Sequence, residues 1–117
     1  MVQGKTAEAE LNTRRAADGR HPPFITSFAL PVTHIAWPEG TIMVAGDTAG
    51  SATAAATDDT DNIVGVLDTR VDADEQSGNV MIHGSCAPDI LKCVDDGELV
   101  DAGAEQIAAL RGKTIYV

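Results

Sequence analysis

Aromatic residues are scarce in this sequence: two Phe, one Trp and one Tyr among 117 residues. Phe, Tyr and Trp bury the most area per side chain, so a core must be assembled from Val, Ile, Leu and Ala. No run of about 18 apolar residues occurs, which excludes a membrane-spanning helix. The stretch Met1 to Asn12 has no apolar signal region and reads as non-secreted. Only two cysteines are present, Cys86 and Cys93. That number excludes a disulfide framework, and a cytosolic product keeps both as thiols. There is no phosphate-binding glycine motif, no Gly-x-Ser-x-Gly and no Cys-x-x-Cys.

Positive charge is also scarce, with eight Lys and Arg against eighteen Asp and Glu, for a net charge of −10. The imbalance is uneven. Residues 1–25 hold four basic and three acidic residues, whereas the remainder holds four basic and fifteen acidic ones. An acidic body argues against nucleic acid or an anionic membrane as partner, because both need a basic surface. At low salt it also repels copies of itself.

What is present is a series of short β-rich segments after a different N-terminus. The length suits one domain, with residues 1–25 as an arm and 26–117 as the body. Gly4, Gly19, Pro22 and Pro23 break periodicity in the arm. Its residues 1–23 hold too few large apolar side chains to fold alone. The expectation is a flexible arm, mobile in the free protein, that orders on a partner, with Arg14, Arg15, Arg20, His21, Pro22, Pro23, Phe24 and Ile25 as its binding residues.

Strands are expected at Phe24–Leu30, Val32–Ala36, Thr41–Ala45, Asn62–Leu67, Asn79–Gly84 and Lys113–Val117. Pro31 ends the first of these or makes it an edge strand. Gly65, inside the apolar run Ile63–Leu67, suggests a bulge or a close backbone approach. Gly46–Asp61 lacks any large apolar residue and reads as a surface excursion. One short helix is expected between Pro88 and Val94. A second carries Ala104, Ile107, Ala108 and Leu110, capped by Asp101 and ended at Gly112. Asp95-Asp96-Gly97 reads as a turn. The sum is a β-dominated α+β domain with one or two short helices.

Three constellations bear on chemistry. His83, Cys86 and Cys93 fit no standard zinc spacing and lack an evident fourth ligand. Cys86 with His34 or His83 is a nucleophile and base only in the sense that any His and Cys pair is. The clusters around Asp58, Asp72 and Asp95 lack the twelve-residue calcium-loop pattern and read as solvated surface. No catalytic residue, metal or cofactor is expected. Trp37, the only Trp, reads as a core plug or an interface anchor.

The ordered region, about residues 28–117, resembles the lambda-type phage head decoration protein family. The resemblance lies in Gly40-Thr41-Ile42-Met43-Val44 followed by a Thr/Ala/Asp-rich stretch, then Ile63-Val64-Gly65-Val66-Leu67. It continues in Val80-Met81-Ile82-His83-Gly84 leading to Ile90-Leu91, and ends in Ala104–Leu110 running into Lys113-Thr114-Ile115-Tyr116-Val117. It implies a small β-barrel-like or β-tulip domain with no active site, seated as homotrimers at local three-fold positions of the expanded capsid. It implies that the arm contacts the major capsid protein, and that the protein, made in the host cytoplasm, resides on the outer capsid surface of the virion. The alternatives are another virion β-domain, such as a head fibre or tail component, and a trimeric β-rich hydrolase subunit. The hydrolase needs a deep cleft with converging polar groups.

Overall fold

The structure, a computed structural model, describes residues 15–20, 23–32, 34–57, 59–113 and 115–116. Among the described residues, eight strands form, β1 (Phe24–Ala29), β2 (Ile42–Ala45), β3 (Ala52–Ala54), β4 (Ile63–Leu67), β5 (Ser77–Ser85), β6 (Lys92–Asp95), β7 (Glu98–Asp101) and β8 (Ile115–Tyr116), with one α-helix, α1 (Ala104–Arg111). The domain is β-dominated and its main sheet runs β1-β5-β4-β2-β3, with β8 added to β5. The pairs along that order are antiparallel, while β8 runs parallel to the end of β5. A separate antiparallel hairpin is made by β6 and β7.

The continuous apolar runs have a simple cause: the sheet is covered on both faces. Ile42, Val44, Ile63, Val66 and Met81 pack on one face with Ala16, Cys86, Leu91, Leu110 and Ile115. Met43, Leu67 and Val80 pack on the other with Leu30, Trp37, Ala52 and Val71. Successive residues of a strand point to opposite faces, so neighbours such as Ile42 and Met43, or Val80 and Met81, serve different cores. The alternation breaks once in β4, where Val64 joins the second core and Val66 the first. Val64 is the extra residue: Met43 faces Gly65 but Val44 faces Ile63. Next to it, only glycine fits at position 65, since a Cβ would lie 2.1 Å from the Met81 carbonyl oxygen.

Several sequence expectations need correction. No helix spans Pro88–Val94; a three-residue 3-10 turn at Pro88–Ile90 gives way to β6. The expected turn at Asp95-Asp96-Gly97 is the reversal of the hairpin. Asp96 and Gly97 take φ of 52° and 82°, the paired positive values of a two-residue hairpin turn that Asp-Gly favours. Gly46–Asp61 is more than a surface excursion. It contains β3, and its Ala52 and Ala55 are buried, because an edge strand gains from its ladder and small side chains fit beneath it. No strand forms among the described residues of Val32–Ala36; Trp37 instead makes a lone antiparallel bridge with Val71. Helix α1 starts after Gly103, not at an Asp101 cap. Asp101 lies in β7 and pairs with Lys92.

Among the described residues, the two sheet edges meet once, at a parallel bridge between Ala29 and Ser51. Ala29 N–H donates to the Gly50 carbonyl at 2.9 Å. In that register the next rung requires the N–H of residue 31, which is Pro31 and has none. The sheet curls but does not close into a barrel.

Candidate functional site

The N-terminal segment is tied to the body by backbone and carboxylates together. Arg15 bridges Thr69, and Ala16 N–H donates to the Asp68 carbonyl at 2.8 Å. The Asp68 carboxylate then accepts from Arg15 Nε at 2.9 Å and from Ala17 N–H at 3.1 Å. Asp68 is almost fully buried, and burial of a carboxylate requires such partners. The small side chain of Ala16 is buried within the first core.

One turn later Asp18 repeats the device. Its N–H donates to the Ser85 carbonyl at 3.0 Å, and its carboxylate accepts from Ser85 Oγ and from Arg20 Nε at 2.8 Å. The Ser85 hydroxyl, followed by the Arg20 backbone N–H, holds the Asp18 carboxyl below its ordinary value. The segment then enters β1, whose partner β5 occupies one side of it.

The binding residues expected from sequence thus divide. Arg15 is committed to Asp68 and Arg20 to Asp18. Phe24 stands 64% exposed at the start of β1, whereas Ile25 turns inward against the first core. Pro23 is exposed. Arg14, His21 and Pro22 lie outside the described residues. Residues 15–20 and Pro23–Ile25, placed in the arm by the sequence reading, therefore run along the body. Asp68 and Ser85, which receive that segment, were not singled out; Asp68 is marked only as a polar residue directly after a buried apolar run, and Ser85, after His83-Gly84, carries no such signal.

Trp37 is 4% exposed. Its ring stacks on His34, with centroids 4.4 Å apart and planes 21° from parallel. Among the described residues, its buried indole N–H has no hydrogen-bond acceptor. The two His34 ring nitrogens lie 2.7 Å from the Ile35 carbonyl oxygen and 2.6 Å from that of Glu75.

Cys86 and Cys93 are buried and neither is in a disulfide. Burial, followed by the nearby Asp18 charge, pushes the Cys86 thiol up to about 11, which opposes a nucleophilic thiolate. Among the described residues, no three His, Cys, Asp or Glu side chains gather as a metal-binding group. The acidic turns cap themselves: Asp59 accepts from Ala56 N–H and Glu75 from Asp72 N–H. The arrangement of the N-terminal segment is suited to holding an extended chain at a fixed point on the body. A scan against protein-family models finds no match for the chain, and a search of curated proteins finds none either.

Proposed function

We propose that this chain is a structural virion protein that binds the outer surface of a phage capsid as trimers and cements the expanded head. The observation that carries the reading is the clamped N-terminal segment. Asp68 and Asp18 hold Arg15–Asp18 to the body, so the residues before Arg15 begin from a fixed point beside Thr69. Fixing one end of a binding segment lowers the entropy lost when the rest docks. An extended segment can add to a sheet edge of the major capsid protein, where backbone hydrogen bonds give affinity and side chains give register. Exposed Phe24, at the start of β1, adds an apolar contact.

The resemblance to lambda-type decoration proteins and the β-dominated body support the same reading. Trimers multiply weak contacts, since each engages several capsid sites at once. The acidic body makes nucleic acid and anionic membrane poor partners. Such a protein needs no active site and no cofactor.

Co-sedimentation with expanded shells of the encoding phage tests this. Full-length protein should pellet with the shells and appear in images as three-fold density on their outer face. Protein lacking residues 1–14 should stay in the supernatant. Failure of the full-length protein to bind any expanded shell would remove the reading.

A further inference from the structure

Two hollows, about 460 and 250 Å³, lie along β3 and share Pro31 and Thr53 in their linings. The first also contains Val32, Asp47, Thr48 and Ala52; the second contains His34, Ile35, Trp37, Ala54, Val94 and Gly97. Together they form one seam between β3 and the chain that leaves β1 at Pro31.

The backbone along this seam is poorly paired. Gly46 N–H donates to the Ser51 carbonyl at 2.9 Å, and Ala55 N–H to the Ile42 carbonyl at 2.8 Å. Ser51, Thr53 and Ala55 therefore face β2, and the peptide groups of Ala52 and Ala54 face the seam. Pro31 deprives the Ala52 carbonyl of its next rung. Among the described residues, the N–H and carbonyl of Ala54 also meet no backbone partner. Pairing resumes only at the Ala56–Val94 bridge.

Three further observations point to an occupant. Trp37 lines the seam with the face of its ring stacked on His34. The rims carry exposed Val32 and Ile35, and exposed Leu99 pairs with the lining residue Val94. The ends are acidic: Asp47 lies in the first hollow, while Asp95, Asp96 and Glu98 sit on the hairpin tip whose Gly97 lines the second.

We propose that this seam is a strand-insertion site for an extended segment of a protein partner, uncharged and free of proline at its centre, with Lys or Arg on its flanks. Backbone groups at alternate positions require an extended occupant. Basic flanks match the acidic ends, whereas a second copy brings a net charge of −10 toward another. The proposal stands apart from the capsid reading and is tested on the isolated protein.

Trp37 is the only Trp of the chain, so its emission reports on the seam. The probe is the capped peptide Lys-Lys-Thr-Val-Thr-Val-Thr-Lys-Lys. Its controls replace the four Lys with Glu, or the two Val with Pro. Titrating the Lys peptide into full-length protein should shift the emission saturably and slow amide exchange at Ala54. Asp95→Asn, Asp96→Asn and Glu98→Gln together should weaken binding at least ~threefold at low salt. Ala54→Pro should abolish binding while leaving the β2 ladder intact, because its N–H points away from β2. Should that variant fail to fold, Ile35→Lys on the exposed rim must weaken binding instead. Absence of a saturable change, protection located elsewhere, or equal binding of either control peptide would each overturn the proposal.

Discussion

Arg15 Nε lies 2.9 Å from Oδ2 of Asp68, joining a half-exposed guanidinium to a carboxylate whose side chain is 3% exposed. The two residues are 53 positions apart. Their contact fixes where the N-terminal segment meets the body.

Removing either partner should have unequal effects. Asp68→Ala leaves Ala17 N–H and Arg15 without their acceptor and should cost about 2–3 kcal/mol. Arg15→Ala should cost only about 1 kcal/mol, because its exposed side is screened by solvent. Urea denaturation of both singles and the double variant gives the coupling. Additive losses would show that the pair is not an energetic unit.

The place where the segment can be cut follows from the same contacts. Deleting residues 1–14 should leave the urea midpoint nearly unchanged. Deleting 1–23 removes buried Ala16 and the Asp68 and Asp18 contacts, and should lower stability by about 3 kcal/mol or more. Equal midpoints for the two truncations would show that residues 15–20 contribute nothing to the body.

Glycine substitutions should separate space from conformation. Gly65→Ala places a Cβ 2.1 Å from the Met81 carbonyl oxygen, so β4 and β5 must move apart, at roughly 3 kcal/mol or more. Gly50→Ala meets nothing within 4 Å but holds φ at +79°, and should cost about 1 kcal/mol. Thermal unfolding of the two variants checks the order; the reverse order would deny the close approach of β4 to β5.

Alkaline stability should report Cys86. Its thiol is raised from 9.0 to about 11 in the fold, so the folded state favours the neutral form. The stabilisation is complete below pH 9, falls through the window to pH 11, and is on the order of 2–3 kcal/mol. Cys86→Ala should flatten the stability profile in that window. An unchanged alkaline limb would place the titration elsewhere.

Asp18 has the opposite sign. Its carboxyl is held below 3.8 in the fold, so its contribution is present above that pH and is lost as the pH falls through the lowered value. Asp18→Asn should remove that acid limb while leaving the pH dependence above pH 5 unchanged. A full acid limb in the variant would assign it to other carboxylates.

The sequence alone determined the β-dominated class and most strand cores, because strands written in Val, Ile and Met carry their own apolar signal. Ile42–Val44, Ile63–Leu67 and Val80–Ile82 were legible for that reason. Helix α1 was legible from its spacing and from Gly112, and Gly65 was legible as a break in an apolar run. Tertiary structure alone decided what small or polar residues do. Ala52 and Ala55 look like surface in a Thr/Ala/Asp-rich stretch, yet a neighbouring ladder and the Gln106 amide, bonded to the Ala56 and Asp59 carbonyls, bury them. Lys92–Asp101 has no strong periodicity, so a helix competed with the hairpin until Asp96 and Gly97 took positive φ. The role of Arg15 and Asp68 was hidden because a buried ion pair depends on two distant segments meeting. Local pattern records which side chains avoid water, whereas pairing of charges and open backbone groups across the chain exists only once the fold brings them together.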